Sequence, residues 1–318
     1  MVKLENIEQA RTVIQGVIHE TPILRSRSLQ EAWGRNVHFK AEHLQKTGSF
    51  KIRGATNAVT NAVEHGAKLV TAASSGNHGQ AVAYIASKLG IKSVIVVPTD
   101  ASPAKVAAIE AYGGQVEYCG TTSAERIPRA QLLADEQSGV YIPPYDHEDV
   151  IAGQGTVGLE ILEQVPDVEI IVVPVGGGGL IAGILTAVKA KRPDVLVIGA
   201  EPSLANDTEL SLENGKITAI GPTETIADGL RTSQPGDLTF PIVRQLLDGL
   251  VTVEEHEIAQ AMRDLAVRSK QLVEPSGAVA AAAVMAGKVG APEQKIVAVI
   301  SGGNIDLARL ASLLAGGS

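Results

Sequence analysis

Short runs of β-branched and aliphatic residues alternate with longer alanine-rich segments, and this alternation restricts the fold more than any other feature of the chain. Several runs are apolar throughout, as strands covered on both faces are. The runs predict strands over 69–74, 93–98, 115–120, 170–175, 195–201, 250–254 and 295–301. The segments between them predict helices over 77–89, 103–111, 123–137, 180–191, 255–270 and 276–286. This order predicts an α/β fold with parallel sheets.

The chain has 318 residues, which suffices for two domains of ~100–200 residues each. A turn-rich break at Pro143, Pro144 and Asp146 separates the first three predicted strands from the later ones. We therefore predict two open, doubly wound, three-layer domains: a small one of residues 69–146 and a large one of 1–68 and 147–318. Ligands of such folds bind beyond the carboxyl ends of the strands, in the strand-to-helix loops.

The composition excludes several classes of protein. A net charge of −8 without a basic tract argues against a nucleic-acid partner or an anionic membrane surface. The single cysteine, Cys119, excludes an internal disulfide and a cysteine-based zinc site. The first residues lack a secretory pattern, so we expect a cytoplasmic protein. Residues 170–188 are apolar over the length of a membrane span, but Pro174 and four glycines divide them into a strand, a turn and a helix.

The segment Ser49-Phe50-Lys51-Ile52-Arg53 follows strand-like residues 38–44 and enters a predicted helix. Ser49 is a good N-cap, which places Lys51 in the first helical turn. A helix N-terminus and burial both lower the pKa of a lysine, and a neutral amine is what Schiff-base chemistry needs. The alternative is a solvated surface lysine, since most lysines are exposed.

Two further loops suit anions. In Ser74-Ser75-Gly76-Asn77-His78, free N–H groups at a helix start suit a carboxylate or phosphate, although these residue types also favour plain turns. Gly176 to Gly179 lie between a strand and a helix, where backbone amides can surround a phosphate. Gly177, Gly179 and Ala182 also fit G-x-G-x-x-A, with Glu201 at the end of the next strand, so a dinucleotide site and a plain tight turn remain alternatives.

Two weaker signals follow later strands. Ser301 ends the last predicted strand, where its hydroxyl can hydrogen-bond a ring nitrogen without protonating it, or simply cap the next helix. Glu201 and Asp207 flank a turn that exposes the carbonyl of Ala205. Mg²⁺ and Ca²⁺ prefer such oxygen ligands, and a solvated acidic turn is the alternative.

The four loops in this order resemble the pyridoxal-phosphate enzymes of the tryptophan-synthase-β fold (fold type II). More narrowly, they are similar to the serine racemase and serine/threonine dehydratase family, over about residues 21–306. The matching motifs are Ser-Phe-Lys-Ile-Arg-Gly-Ala, Ser-Gly-Asn-His-Gly, Gly-Gly-Gly-Gly-Leu and Ser-Gly-Gly-Asn. The resemblance implies a cofactor in the cleft between the two domains. A dinucleotide enzyme would explain only the glycine loop, and a two-lobed binding protein would need no lysine beside a phosphate cradle.

The resemblance implies a role for each matched residue. Lys51 matches the catalytic lysine that binds the cofactor covalently. The other residues implied to bind pyridoxal phosphate are Phe50, Asn77, Gly176, Gly177, Gly178, Gly179, Leu180 and Ser301. The residues implied to bind the substrate are Ser74, Ser75, Gly76, Asn77, His78 and Arg126. The residues implied to bind a divalent cation (Mg²⁺, Ca²⁺ or Mn²⁺) are Glu201, Ala205 and Asp207.

Ser75 distinguishes two activities within the family. Family threonine dehydratases generally read Ser-Ala-Gly-Asn-His-Ala here, whereas this chain has the serine racemase form. Lys51 can act on one face of the substrate and Ser75 on the other, so the resemblance implies serine racemisation together with β-elimination to a 2-oxo acid and ammonia. The alternative is a threonine or L-threo-3-hydroxyaspartate dehydratase with little racemase activity. Arg126 matches an arginine that could hold a second carboxylate.

The resemblance also bears on partners. We expect a small amino-acid substrate and a homodimer. A nucleotide effector, ATP or AMP, is implied by matches to the ATP-binding region of animal serine racemases, although Arg27 departs from the serine expected there. The matching residues are Lys46, Thr47, Gln80, Tyr112, Lys270 and Asn304.

Overall fold

Ten strands and thirteen α-helices lie within residues 1–316, the part of the chain that the computed structural model describes. The strands are β1 (Ile23–Arg25), β2 (Val37–Ala41), β3 (Leu69–Ala73), β4 (Lys92–Val97), β5 (Gln115–Tyr118), β6 (Val140–Tyr141), β7 (Ile170–Pro174), β8 (Leu196–Pro202), β9 (Gly249–Val253) and β10 (Ile296–Ile300). The helices are α1 (Leu4–Ile14), α2 (Arg27–Trp33), α3 (Lys51–Glu64), α4 (Asn77–Lys88), α5 (Pro103–Ala111), α6 (Ser123–Glu136), α7 (Glu148–Gln164), α8 (Gly179–Lys191), α9 (Asp207–Asn214), α10 (Thr239–Leu246), α11 (Glu255–Asp264), α12 (Pro275–Met285) and α13 (Leu307–Ala315).

The strands form two separate sheets, which confirms the predicted fold class. The larger sheet has the order β1-β2-β10-β7-β8-β9, with β1 antiparallel and every other neighbouring pair parallel. The smaller sheet has the order β5-β4-β3-β6 and is parallel throughout. The patterns did not predict β1 and β6, because three and two residues are too few to show a period.

The central strands of the larger sheet are covered on both faces, which explains their unbroken apolar sequences. Val172 and Ala298 face a core that includes much of α12. Ile171 and Val297 face the opposite core, built with α7 and α8. Successive residues of one strand thus enter two different cores. Residues 170–188 form β7, a glycine turn and α8, and among the helices of residues 1–316 none has the length and hydrophobicity to cross a membrane.

Helices α3, α7 and α8 pack through their backbones. A Cβ on Gly153 of α7 would lie 2.6 Å from the Cα of Gly54 of α3, and a Cβ on Gly183 would lie 2.5 Å from the nitrogen of Gly155. Helix α3 also contributes Ile52, Ala55, Ala58 and Val59 to the core around the smaller sheet. It therefore connects the two sheets, and the domain boundary at residue 68 stays a prediction.

Four buried charged side chains lock α3 to its neighbours. Arg53 donates to Glu42, after β2, at 2.8 Å, and to Glu160 of α7 at 2.6 Å. Lys40 of β2 donates to the same Glu160 at 2.6 Å. The two positive and two negative charges pair within hydrogen-bonding distance, so no charge is left buried alone. This cluster sets the position of the first turn of α3.

Candidate active site

The loop before α3 is joined to the end of β10. Phe50 donates its backbone N–H to the carbonyl of Ser301 at 3.1 Å, and Ser49 forms an isolated antiparallel bridge with Gly302. The N-cap of α3 is Phe50, without a side-chain cap. The prediction of Ser49 as N-cap is therefore wrong, and the Ser49 hydroxyl is buried without a partner among the described residues. The backbone pairing with β10 fixes the extended loop and starts the helix one residue later.

Lys51 is the first residue of α3. Its Nζ donates to the carbonyl of Pro144 at 2.6 Å and lies 5.1 Å from the centre of the Phe50 ring. Burial lowers the pKa of Lys51 to about 8, and the carboxylate of Glu274 opposes that shift. A substantial fraction of the amine is thus neutral near physiological pH. Lys51 is partly buried, so the alternative of a solvated surface lysine does not hold.

The loop after β3 leads into α4, whose first residue is Asn77. Gly76 donates its N–H to the Ser74 hydroxyl at 3.3 Å. His78 is buried, and its Nε2 contacts the carbonyl of Ile142 at 2.8 Å. Burial and the neighbouring Lys51 lower the pKa of His78 to about 3, so the imidazole is neutral. His78 anchors the loop, and its side chain is not free to bind a carboxylate.

The glycine loop after β7 has little room for side chains. A Cβ on Gly177 would lie 2.5 Å from the ring of Tyr145, and Gly178 has a φ of +91°. Within residues 1–316, the N–H groups of Gly177 and Gly178 find no acceptor, and α8 begins at the next residue. Unpaired amides at a helix N-terminus fit an anion such as a phosphate.

The same loop lies beside the other parts of the site. Tyr145, whose ring covers Gly177, follows the residue whose carbonyl accepts from Lys51. Ser301, at the end of β10, is buried, and its hydroxyl donates to the carbonyl of Ser276 at 3.4 Å. The structure thus groups the lysine, the glycine loop and Ser301 at the carboxyl ends of the strands.

Glu274 is a site residue that the sequence patterns did not reveal. It precedes α12 and is buried, and its Oε1 accepts a 2.7 Å hydrogen bond from Nδ2 of Asn77. Burial, reinforced by Asp228, raises the pKa of Glu274 to about 8. The only sequence signal is a glutamate directly before a proline that starts a helix, which also describes an ordinary helix cap.

The candidate cation ligands lie around the start of α9. The Glu201 carboxylate accepts from the N–H groups of Thr208 at 3.1 Å and Glu209 at 3.0 Å, and Asp207 accepts from Thr232 at 3.3 Å. Burial raises the pKa of Glu201 to about 8 and that of Asp207 to about 7. Groups of three or more histidine, cysteine, aspartate or glutamate side chains suited to a metal are absent from the described residues. The Glu201 carboxylate is buried and accepts from two N–H groups of α9, so it is not free to bind a ribose hydroxyl as a dinucleotide site requires.

The remaining predicted residues are only partly brought together. Thr47 and Asn304 are joined, since Asn304 Nδ2 donates to the Thr47 carbonyl at 2.6 Å. Tyr112 instead packs edge-on against Tyr84, and Lys270 Nζ donates to the carbonyl of Val267. Within residues 1–316, the side chains of Lys46 and Gln80 form no hydrogen bond with the other four residues of this predicted site.

Arg126 lies in the first turn of α6, after β5. Its Nη2 donates to the Ser123 hydroxyl at 3.2 Å. Its Nε and Nη1 are buried and find no partner in the part of the chain that the structure describes. The smaller sheet is parallel, so α6 begins at the same sheet edge as the loop 74–76.

Known proteins with this architecture have related sequences. The family model described as "Pyridoxal-phosphate dependent enzyme" matches residues 14–302. A serine racemase of Mus musculus is 45% identical over 317 residues, covering 97% of this chain and 93% of the relative. An L-threonine ammonia-lyase of Geobacter sulfurreducens is 43% identical over 302 residues, covering 95% and 75%. The solved structure of maize serine racemase superposes with a TM-score of 0.93 at 39% identity, covering 99% of this chain and 97% of that one.

Proposed function

The chain belongs to the family of pyridoxal-phosphate-dependent enzymes, and from this premise we propose that it interconverts L- and D-serine and also eliminates water and ammonia from β-hydroxy amino acids. Both kinds of enzyme occur among its relatives. The observation that carries the proposal is that the chain has both Lys51, at the start of α3, and a serine at position 75, in the loop before α4. Racemisation needs proton-transfer groups on two faces of the substrate, and these are the two candidates.

The hydrogen-bond donors of the candidate site fit pyridoxal phosphate. The free N–H groups of the glycine loop would hold the phosphate, and the Lys51 amine would bond to the aldehyde carbon. Asn77 would donate to the phenolic oxygen, Phe50 would lie against the ring, and Ser301 would face the ring nitrogen. When bound, the group withdraws electrons from the substrate Cα and so acidifies its proton.

Ser301 would restrain that electron withdrawal. Its hydroxyl is neutral, and its one hydrogen, which points to a backbone carbonyl in the structure, would turn to the ring nitrogen. A hydroxyl can offer a hydrogen bond to a ring nitrogen but does not transfer its proton, so the ring would stay less strongly electron-withdrawing. This permits proton return to Cα as well as loss of the β-hydroxyl, consistent with two activities in one site.

The proton transfers are assigned to two side chains. Lys51, with its lowered pKa, would remove the Cα proton from one face. Ser75 would donate a proton to the opposite face, completing racemisation. Elimination requires only the lysine face and a protonated leaving hydroxyl. The N–H groups at the start of α4, near Ser74, Ser75 and Gly76, would hold the substrate carboxylate.

A divalent cation bound by Glu201, the carbonyl of Ala205 and Asp207 is part of the proposal. The two carboxylates are buried within one short segment, and their raised pKa values reflect the cost of burying negative charge. Mg²⁺, Ca²⁺ or Mn²⁺ would offset that cost, with water completing the coordination. The cation would tie β8 to the start of α9.

A homodimer and a nucleotide effector complete the proposal. Three aliphatic side chains near the His43–Gln271 hydrogen bond are exposed: Leu44 by 46%, Val267 by 67% and Leu272 by 54%. A second copy of the chain would cover them. ATP or AMP would bind around Thr47 and Asn304. The cytoplasmic location stays a prediction from the sequence.

A dicarboxylate is the second candidate substrate. The unpartnered, buried nitrogens of Arg126 favour it, because a guanidinium without a partner is costly unless a carboxylate reaches it. L-threo-3-hydroxyaspartate would be dehydrated and aspartate racemised in that case.

Side-by-side assays test these alternatives. Purified holoenzyme would be given L-serine, D-serine, L-threonine and L-threo-3-hydroxyaspartate, with and without Mg²⁺, and products resolved by chiral chromatography and a 2-oxo acid assay. We expect D-serine and pyruvate from L-serine, and neither from Lys51→Ala. Elimination without racemisation would overturn the racemase assignment, and a clear preference for 3-hydroxyaspartate would favour the dicarboxylate.

A further inference from the structure

Glu274 packs closely against the end of β10, beside the proposed cofactor site. Its carboxyl oxygen occupies the place where a side chain at position 302 would project, so a larger residue there would displace the carboxyl group. Its backbone N–H donates to the Gly302 carbonyl at 3.2 Å. Glu274 therefore sits against the residue that follows Ser301, and its carboxyl points at the Asn77 amide.

A chain of amide groups determines which way Asn77 faces. Asn304 donates one Nδ2 hydrogen to the Thr47 carbonyl at 2.6 Å and the other to Oδ1 of Asn77 at 2.8 Å. A carbonyl can only accept, so Asn304 has a single orientation. Oδ1 of Asn77 must then face Asn304, and its Nδ2 must face Glu274. One N–H of Asn77 stays free.

We propose that Glu274 is a positioning residue that, together with Asn304, clamps the Asn77 amide so that its remaining N–H can donate to the cofactor's phenolic oxygen. This inference rests on the proposed function, because Asn77 acquires that partner only when pyridoxal phosphate binds. Without the carboxyl group, the hydrogen bond from Asn304 is the one restraint left on the amide. The Asn77 side chain can then pivot about that single bond, and its free N–H is no longer held in the direction of the phenolic oxygen.

The charges around Glu274 leave its acceptor role intact. Asp228 disfavours its ionised form, while Lys105 favours it, and the carboxylate in turn stabilises the charged form of Lys51. Even when protonated, a carboxyl group retains an oxygen that accepts from Asn77. The clamp therefore requires an acceptor at position 274 rather than a charge, and this distinguishes it from an ion pair.

Cofactor affinity of the apoenzyme tests the clamp. Pyridoxal phosphate would be titrated into native protein, Glu274→Leu and Glu274→Gln, following absorbance, with borohydride reduction to verify the bond to Lys51. Glutamine retains an acceptor, so we expect its dissociation constant within about threefold of native. Leucine removes it, and we expect a loss of about tenfold or more, the usual effect of one hydrogen bond to a charged group.

A double-mutant cycle with Asn77→Leu separates positioning from general damage. Once the amide is gone, Glu274→Leu should weaken binding no further. Equal losses in both backgrounds, or native affinity in Glu274→Leu, would overturn the inference. Asn304→Leu releases the other end of the clamp and should lower the affinity for pyridoxal phosphate in the same way. This variant replaces Glu274→Leu in the test if Glu274→Leu does not fold. If the native protein does not bind pyridoxal phosphate, the proposed function is overturned together with the clamp. If the native protein binds it and the variants bind it equally well, the clamp alone is overturned.

Discussion

Burial sets the chemistry of individual side chains in the candidate site. The pKa of Lys51 falls to about 8 and that of Glu274 rises to about 8, each because its charged form loses contact with water. The pKa of His78 is lowered further, to about 3, so its imidazole is neutral at physiological pH. An amine that is about half neutral near pH 8 is available to react, and a histidine that stays neutral adds no positive charge beside it.

The lowered pKa of Lys51 predicts how fast the apoenzyme takes up pyridoxal phosphate. Only the neutral amine reacts, so the rate should rise from pH 7 and level off above about pH 9, one unit beyond the pKa. A simple alkylamine with an unshifted pKa should continue to rise through that range. Stopped-flow absorbance measures both. A protein rate that still climbs at pH 10 in parallel with the alkylamine would contradict the lowered pKa.

We propose that Ser75 decides between the two reactions. Ser75→Ala should reduce conversion of L- to D-serine by about 10²–10⁴-fold, the usual contribution of a general acid or base. Pyruvate release from L-serine should persist, because elimination uses the Lys51 face. Proton exchange at Cα in D₂O shows which face is lost, and Ser75→Thr, which retains a hydroxyl, is the matched control. Native racemisation in the alanine variant would show that another group is the second acid.

Segments rather than single residues hold the site together. The carboxyl ends of parallel strands meet at one edge, and the loops after β3, β7 and β10 therefore converge. Helix α3 adds Lys51 to this edge, because the loop before the helix pairs with the end of β10 and the Arg53 cluster holds the first helical turn. The position of the reactive amine thus depends on buried charges that touch neither substrate nor cofactor.

Breaking that cluster should destabilise the fold. Arg53→Met leaves Glu42 and Glu160 without their main partner, and removing one member of a buried ion pair typically costs ~3–5 kcal/mol. Arg11→Met is the control, because the Arg11–Glu163 pair is exposed and worth ~1 kcal/mol at most. Urea unfolding of the apoproteins measures both free energies. Equal losses in the two variants would show that the buried cluster is not a stabilising feature.

The proposed cation links β8 to α9. Added Mg²⁺, Ca²⁺ or Mn²⁺ should raise the melting temperature progressively, since an ion that binds only the folded state stabilises it by RT ln(1 + [L]/Kd). EDTA should reverse the rise, and Asp207→Asn should abolish it. Glu213→Gln, at an exposed position of the same helix, is the matched control. Melting curves unaffected by metal and EDTA would argue decisively against this site.

At the scale of the whole molecule, ion pairs join the elements around the smaller sheet to those around the larger one. Lys105 of α5 pairs with Asp228, at 2.8 Å, and Asp228 also lies 3.5 Å from Arg309. The adjacent Leu230 lies against Gly176 of the glycine loop. A movement of the smaller sheet would therefore displace residues beside the proposed phosphate site.

The exposed aliphatic residues predict the assembly state. Sedimentation should give twice the chain mass of 33.0 kDa. Val267→Asp would place a charge in the proposed interface and should shift the protein toward monomer. Leu132→Asp is the matched control, since Leu132 is similarly exposed, on α6. A native monomer, or a dimer unaffected by Val267→Asp, would place the interface elsewhere or exclude it.

Local patterns were sufficient for the longer strands and for the loops that lead from them into helices. A buried parallel strand needs an unbroken apolar run, as in β7 and β10, and a phosphate loop needs glycines at a helix start, so both are visible in a few consecutive residues. Lys51 and the glycine loop were located on that basis, and the combination of four motifs identified the family.

Contacts between distant segments were decided only by the tertiary structure. Glu274 approaches Asn77 across 197 positions of sequence, and Arg53 meets Glu160 across 107. No periodicity encodes such a meeting, because it depends on how helices pack on sheets rather than on the residues nearby. The start of α3 was misplaced for the same reason. Ser49 has the side chain of an N-cap, but it pairs with Gly302, 253 residues later, just after β10. This pairing holds Ser49 in an extended conformation, so the helix begins at Lys51.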